Sequence, residues 1–366
     1  MPMRSTPSNS NESMTILSHL LLSPDAGDPL SSTSTVLRNM NREELSALVT
    51  LANVNHVIVR GMTVYREIML AAQDHARAEV AVTAIATERA RIVNAIGFLR
   101  MICDAFEEEG LDVTVMKSLD HWPDFGSDMD LYTNAPTQAV CALMQRRFGA
   151  QLAPRSWGDR LACKWNFDIP GLPDPVEVHM GRLGQTGEQL VLASQLPARS
   201  LRVEIEGQTF RVPSASDRIM ISTLQRMYRH FYFRLCDIVD SAALAASGDL
   251  NYEELRTSAQ AAGIWEGVAT YLVIVSDYVS RYRGTDLRLP KLVKDSAHFD
   301  GDIVYVGGSF IRVPILPQSV GLYRSQFTRL LRRRELQSSA RLGLLPWLAT
   351  AAAIGHKITG SDKGIW

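Results

Sequence analysis

The sequence predicts an α+β fold in which a small mixed β-sheet, residues 111–213, carries helical regions at both ends. Three observations support this prediction. Apolar residues recur at helical spacing through 36–110, short alternating segments bounded by turn residues begin at Leu111, and helical spacing returns after Ser214. Strands grouped in the middle of a helical chain are typical of an α+β protein.

The composition is that of an ordinary globular protein and excludes several classes. The 366 residues carry a net charge of −1, with 46% apolar and 21% charged residues, so the whole chain gives no sign of binding nucleic acid through bulk charge. The four cysteines are far apart and form no zinc motif, which favours free thiols in a reducing compartment. No segment has the roughly 20 apolar residues of a membrane span, so we expect a cytoplasmic protein.

The N-terminal part is expected to be a flexible tail followed by helices. Residues 1–35 are rich in Ser, Pro, Thr and Asn, which predicts the tail. In the helical region 36–110, Asn41 is a good N-cap for a first helix. A second, long helix is predicted from Met62 to Glu109, and Gly110 is suited to end it.

The segment 111–213 contains the predicted strands. These are Leu111–Met116, Asp128–Thr133, Leu161–Ile169, Val176–Met180, Leu201–Ile205 and Thr209–Val212, with a helix over Thr137–Phe148. The turn residues between Pro170 and Pro175 indicate a hairpin with a long loop.

Two further regions complete the chain. Residues 214–290 are predicted to form a helical partner domain, in which Ser216 caps a helix whose apolar face continues from Met220 to Ala242. Asn251 introduces the next helix, and Ile264–Tyr282 forms a third. Residues 291–366 are predicted to form a hairpin and a basic helical tail. The arginines of this tail are expected either to lie on a solvent-exposed helix face or to bind RNA or anionic lipid.

The pair Asp128 and Asp130 is the strongest candidate for chemistry. On a strand, side chains at i and i+2 point to the same face about 6.5–7 Å apart, so the two carboxylates repel each other there. A divalent cation between them removes the repulsion. Glu177 lies on another alternating strand, and three such carboxylates can hold two metal ions that assist attack on phosphorus.

These residues carry a resemblance to a known superfamily. The segments that carry it are Val115-Met116-Lys117-Ser118, Asp128-Met129-Asp130-Leu131 and Val176-Glu177-Val178-His179, together with Arg234-Leu235-Cys236-Asp237-Ile238. They resemble the polymerase-beta-type nucleotidyltransferases, and most of all an uncharacterised bacterial branch with a Lys-Gly segment, then Asp-x-Asp-Leu, then Asp-x-His. The resemblance covers roughly residues 55–265.

The resemblance implies transfer of a nucleoside monophosphate from a nucleoside triphosphate to a hydroxyl acceptor by a two-metal in-line mechanism. Asp128, Asp130 and Glu177 would hold Mg²⁺ or Mn²⁺, and Glu177 would help to deprotonate the acceptor. The predicted nucleotide-binding residues are Lys117, Ser118, Gly126, Ser127 and Lys164. The acceptor can be a small molecule, a protein or an RNA end.

Three departures from the branch keep alternatives open. Ser118 stands where the branch has Gly, Glu177 is longer than the usual Asp, and no arginine shortly precedes Asp128. The first alternative is an inactive nucleotide-binding protein on the same fold. The second is a metal-dependent phosphohydrolase that uses Asp128, Asp130, His179 and His121.

Overall fold

A computed structural model describes residues 7–24, 32–184, 189–345 and 347 of the chain. It has the predicted α+β architecture, with small mixed sheets in the middle and helices on both sides in sequence. No helix among the described residues is long and apolar enough to cross a membrane.

Within the described residues, five helices precede the sheet, and they differ from the prediction at two places. They are α1 (Pro7–Leu22), α2 (Ser32–Asn39), α3 (Arg42–Val54), α4 (Ile58–Ala71) and α5 (His75–Glu108). Asn41 caps α3 as predicted, with a capping box to Glu44.

The predicted flexible tail contains helix α1, and this helix is part of the core. Met14 and Leu17 are fully buried there, and the Ser18 hydroxyl lies 2.7 Å from the Tyr278 hydroxyl. The prediction of a flexible tail was wrong here, because it rested on the polar composition and did not take into account the apolar residues at helical spacing. Residues 32–35 of the predicted tail begin helix α2, and residues 1–6 and 25–31 lie outside the described residues.

The single long helix predicted from Met62 is two helices, α4 and α5. The backbone of Gln73 is left-handed, with φ of 58°, and Asp74 caps α5 by accepting a hydrogen bond from the backbone N–H of Arg77. Because the second helix has its own N-cap residue, the chain can reverse between α4 and α5 without leaving that helix end unsatisfied.

The central sheet has five strands in the order β1-β2-β5-β4-β3. They are β1 (Thr114–Met116), β2 (Met129–Thr133), β3 (Gln151–Leu152), β4 (Lys164–Asp168) and β5 (Val176–Met180). Strands β2 and β5 are parallel, and the other pairs are antiparallel. The predicted helix is present as α6 (Thr137–Phe148), and a short helix α7 (Trp157–Leu161) occupies the start of the third predicted strand.

The two faces of the sheet have different environments. Leu131, Val178 and Phe167 are fully buried in the main core. The opposite face carries Asp130 and Glu177, because alternate residues of a strand point to opposite sides. A helix α8 (Gln189–Arg199) and the hairpin of β6 (Leu201–Ile205) and β7 (Gln208–Val212) follow the sheet.

The partner helices differ from the prediction in their first part. Ser214, two residues before the predicted cap Ser216, is the N-cap of α9 (Ala215–Gln225), and Ser216 lies inside the helix. The apolar face predicted to run unbroken to Ala242 is interrupted by a π-helical turn, Arg226–His230, and by a left-handed residue, Phe231. The chain then forms β8 (Tyr232–Phe233) and α10 (Leu235–Ser247).

The later elements agree with the prediction as far as they are described, and residues 346 and 348–366 of the predicted tail lie outside the described residues. Asn251 caps α11 (Tyr252–Ala262), and α12 (Trp265–Arg283) follows. The predicted hairpin is β9 (Tyr305–Gly307) with β10 (Phe310–Arg312), and β10 also pairs with β8. The C-terminal part contains the short α13 (Lys291–Lys294), α14 (Val320–Arg332) and helical residues 336–345.

Candidate active site

Parallel pairing of β2 and β5 brings two of the predicted carboxylates together. Asp130 and Glu177 are register partners, so both side chains leave the same face of adjacent strands, about 4.8 Å apart at the backbone. His179, two residues beyond Glu177, shares this face. The three side chains are buried, and their ligand atoms lie within 4.8 Å of one another. We call Asp128, Asp130, Glu177 and His179 the acidic face.

Lys117 and Ser118 join the acidic face from the end of β1. Lys117 has a left-handed backbone, with φ of 55°, and its Nζ lies 2.5 Å from Asp130 Oδ1. The Ser118 hydroxyl donates to the carbonyl of Asp128 at 3.1 Å and accepts from the backbone N–H of Asp130 at 2.9 Å. Ser118 therefore fixes the backbone on both sides of Met129, whereas Lys117 supplies a cation.

Asp128 lies just before β2 and is half-buried. Burial and the neighbouring charge of Asp130 raise the pKa of Asp128 to about 6, against the opposing charge of Lys117. Gly126 packs tightly here, because a Cβ at that position would lie 3.3 Å from the Asp128 carbonyl oxygen. Ser127 is exposed at the surface.

Lys164 neutralises the third carboxylate. Its Nζ lies 2.8 Å from Glu177 Oε2 and 3.0 Å from Asp159 Oδ1. The other oxygen of Glu177, Oε1, lies 2.8 Å from His179 Nε2. Both oxygens of Glu177 are thus already in contact with a protein donor.

The charges of this region determine the pKa values of two of its groups. Burial alone disfavours ionised Glu177, but the hydrogen bond with His179 and the charges of Lys117 and Lys164 outweigh it and hold the pKa of Glu177 well below its usual range. Burial likewise opposes the charge of Lys117, and the three carboxylates outweigh that effect and raise the pKa of Lys117. Both groups are ionised at neutral pH.

A cleft of about 350 Å³, part of it open to solvent, extends from Lys117 toward the partner helices. Its lining comes from the loop after β1 and from α9 and α10: Lys117, Asp120, His121, Arg218, Ser222, Gln225, Asp237, Asp240, Ser241 and Leu244. The aspartates in this lining are paired, since Asp120 contacts Arg218 and Asp237 contacts Arg226, each at 2.7 Å. Lys117, which contacts Asp130 of the acidic face, lines the cleft together with the partner helices α9 and α10.

A second group of cations acts on the same histidine, His230, as Lys117 does. Residues 226–234, which we call the arginine turn, contribute Arg226, Arg229 and Arg234. Burial and then the positive charges of these three arginines and Lys117 lower the pKa of His230 to about 2. Within the part of the chain that the structure describes, Arg226 Nη1, Arg229 Nε and Arg234 Nε are buried without a hydrogen-bond acceptor.

His121 belongs to a different cluster from the acidic face. Its Nδ1 lies 2.5 Å from Asp240 Oδ2 and its Nε2 lies 3.9 Å from Cys236 Sγ, and Arg60 holds the other oxygen of Asp240 at 2.6 Å. The phosphohydrolase set predicted from the sequence requires His121 beside Asp130. The structure does not bring these two residues into one cluster.

Sequence reasoning missed two contributors to the site. Arg91 on α5 donates to the carbonyl oxygens of Gly126 and Phe125, at 3.1 and 3.3 Å, so an arginine supports the loop before Asp128 although none precedes it in sequence. The arginine turn lies in the stretch for which the sequence predicts one continuous apolar helix face, from Met220 to Ala242. The side chain that pairs with Asp237 is that of Arg226.

Comparison with known proteins gives little independent information. No protein-family profile matches the chain, and no curated protein matches it. A solved structure described as an antigenic nucleotidyltransferase-like protein from Paracoccidioides brasiliensis is similar at a TM-score of 0.31 and 13% identity, covering 47% of this chain and 86% of that one. A likeness this remote carries no argument about function.

Proposed function

We propose that the chain is a metal-dependent nucleotidyltransferase that moves a nucleoside monophosphate from a nucleoside triphosphate to a hydroxyl acceptor. The observation that carries this proposal is the in-register pairing of Asp130 with Glu177, two residues beyond Asp128, with Lys117 in contact with Asp130. The positive charges of the arginine turn act on His230 together with that of Lys117. Carboxylates that bind a cation and cations that bind phosphate are the two halves of a site for a metal–triphosphate complex.

The donor set fits a hard divalent cation such as Mg²⁺ or Mn²⁺. Asp130 Oδ1 is buried and receives no hydrogen bond of good geometry, although Lys117 Nζ lies 2.5 Å away. The raised pKa of Asp128 comes from burial and from repulsion by Asp130, and a bound cation relieves both. Asp128 and Asp130 would hold the ion, which would neutralise phosphate charge and bring the acceptor oxygen and the phosphorus together.

The residues of the chain have separate tasks in the proposed reaction. Lys117 and the arginine turn bind the triphosphate, and Ser118 keeps the backbone around Asp128 and Asp130 in place. The acceptor oxygen forms a bond to the α-phosphorus, and the bond from that phosphorus to the bridging oxygen breaks. Pyrophosphate leaves with the electron pair, and the acceptor proton passes to a carboxylate of the acidic face.

A nucleotide-binding protein without turnover is the second candidate, and one observation favours it. Both oxygens of Glu177 are in contact with Lys164 and His179, so this carboxylate can take a metal or a proton only after it gives up a partner. If Lys164 stays in place during binding, Asp128 and Asp130 can still hold one cation beside a triphosphate. This second function predicts magnesium-dependent binding without product.

Titration calorimetry with each of the four ribonucleoside triphosphates, in the presence of magnesium, tests the binding step. We expect one triphosphate to bind, and we expect the binding to disappear when magnesium is omitted. The Asp128→Asn/Asp130→Asn variant should not bind. A wild-type protein that binds none of the four triphosphates would overturn both functions.

Transfer is then tested separately from binding. Triphosphate labelled at the α-phosphorus should leave label on an acceptor fraction, whereas label at the γ-phosphorus should appear as pyrophosphate. The matched control for Asp128→Asn/Asp130→Asn is Asp168→Asn/Asp295→Asn. This control removes the same charge from two exposed positions and should keep full triphosphate binding. Binding without transfer to any acceptor fraction would favour the second function.

A further inference from the structure

The C-terminal segment 315–347 combines exposed apolar side chains with positive charge. Seven large apolar residues are exposed within it: Ile315, Leu316, Val320, Leu331, Leu336, Leu344 and Trp347. Leu316, Leu336 and Trp347 are each exposed by more than 70%. The same segment contains six arginines and one acid, Glu335, which gives it a charge of +5 in a chain whose net charge is −1.

Helix α14 has one stripe of mainly apolar residues in the core and a second such stripe in solvent. Leu322, Gln326 and Leu330, spaced by four residues, are buried against the protein. Val320, Arg324 and Leu331 stand at i, i+4 and i+11, which places them on a common stripe of the helix, and all three are exposed. A surface helix normally keeps such a stripe polar.

Two of the arginines attach the segment to the protein and leave others for a partner. Arg329 contacts Glu266 on α12, and Arg333 donates to the carbonyl of Gln260 at 2.8 Å. Arg324, Arg332 and Arg334 are exposed and have no ion pair among the described residues. The segment is therefore fixed in place while its outer surface keeps unpaired positive charge.

We propose that residues 315–345 together with Trp347 form a docking surface for an anionic lipid membrane, with the helices lying in the plane of the interface. Exposed Leu and Trp side chains suit the boundary between headgroups and acyl chains, and arginines suit acidic headgroups. We call these residues the lipid-docking segment. This proposal does not depend on the proposed nucleotidyl transfer.

Two other occupants fit the observations less well. A nucleic acid would use the arginines, but it gives no reason for Leu331, Leu336 and Trp347 to be exposed. A second copy of the chain would place two segments of charge +5 against each other across a two-fold axis, and this repulsion opposes association.

Co-sedimentation with vesicles tests the docking surface. The full chain should bind vesicles of phosphatidylcholine mixed with phosphatidylglycerol, should bind phosphatidylcholine alone much less, and should be released by salt. Arg332→Glu/Arg334→Glu should lower binding to the anionic vesicles at least about tenfold, since each basic residue near such a surface contributes several-fold to binding. Leu331→Ser/Leu336→Ser should lower it without changing the salt dependence.

Matched variants separate a docking surface from general effects of charge and polarity. Arg202→Glu/Arg211→Glu makes the same change of charge on the exposed hairpin β6–β7, and Val82→Ser/Val93→Ser makes a comparable apolar change on α5. Both should bind vesicles like the wild type. Absence of vesicle binding, equal loss in the controls, binding of an RNA homopolymer in place of vesicles, or a dimer dissociated by Leu331→Ser/Leu336→Ser would each overturn the proposal.

Discussion

Lys117 contacts Asp130 of the acidic face and acts together with the arginine turn on His230, but the charges of these two regions are compensated in different ways. On the acidic face, each buried carboxylate has a protein cation within reach, Lys117 for Asp130 and Lys164 for Glu177. In the arginine turn, only Arg226 has a carboxylate partner, Asp237, and three guanidinium N–H groups lack acceptors among the described residues.

This difference indicates how the two regions respond to a ligand. A divalent cation on the acidic face has to compete with ammonium groups that are already there, so it should bind weakly without a triphosphate. An anion beside the arginine turn adds hydrogen bonds that the protein does not make by itself, and each such bond to a charged donor is favourable by about 1.5–3 kcal/mol. We therefore expect the triphosphate and the cation to bind cooperatively.

The largest effect is expected from Asp130→Asn. This change removes the carboxylate that faces Lys117 and should reduce nucleotidyl transfer by at least about a hundredfold, because interactions that stabilise developing charge at a metal–phosphate site contribute on this scale. It should also lower the free energy of unfolding, because Lys117 is left buried without its nearest partner. Single-turnover assays and urea unfolding measure the two effects, and an active Asp130→Asn protein would contradict the assignment.

The next largest effect is expected at Lys164, the lysine that contacts Glu177. Lys164→Met leaves Glu177 and Asp159 buried without their shared cation, and should lower the free energy of unfolding by about 3 kcal/mol at pH 7. If Lys164 competes with metal, the variant should bind Mn²⁺ more tightly than the wild type. Urea unfolding with and without Mn²⁺ tests this, and Lys291→Met, an exposed lysine, is the control. Unchanged Mn²⁺ affinity would show that Lys164 does not compete.

A smaller effect should follow from Arg229→Ala/Arg234→Ala. Each guanidinium group that is removed should weaken triphosphate binding about tenfold. Binding of the monophosphate should weaken less, because the monophosphate has fewer phosphate oxygens that can contact these arginines. Calorimetry with the tri-, di- and monophosphate of the preferred nucleoside measures this ratio. An equal loss for all three would place the arginine turn away from the phosphates.

The smallest effect is expected from Asp128→Asn on stability. The pKa of Asp128 is raised to about 6, so the ionised side chain opposes folding at pH 7, and the wild type should gain stability as the pH falls from 7 toward 4. Asparagine lacks this cost, so the variant should be more stable by about 1–2 kcal/mol above pH 6 and equal to the wild type near pH 4. Thermal unfolding of both proteins across this pH range measures the difference in stability. A difference that did not change with pH would contradict the raised pKa of Asp128.

Much of the fold could be predicted because local signals and packing agree. Asn41 and Asn251 cap helices where the sequence places them, and the alternation of Val176, Glu177 and Val178 correctly separates a buried face from a charged one. The turn at Gln73 and the π-helical turn at Arg226–His230 were missed, because both interrupt apolar patterns that are continuous at helical spacing.

The site could be predicted only as far as its carboxylates. Asp128 and Asp130 share a motif, but the partners of Glu177 depend on strand register, which places Lys164 opposite His179 and cannot be read from spacing along the chain. The roles of Arg91 and the arginine turn depend on contacts between distant segments. The structure locates the predicted nucleotide residues, and their role in binding stays a prediction.

The most direct test is a crystal structure of the chain with Mn²⁺ and a non-hydrolysable nucleoside triphosphate, in which the manganese is located by its anomalous scattering. We expect the manganese to contact Asp128 and Asp130, and the triphosphate to contact Lys117 and the arginine turn. Manganese held instead by His121, Cys236 and Asp240, or a triphosphate bound away from Lys117, would contradict the account.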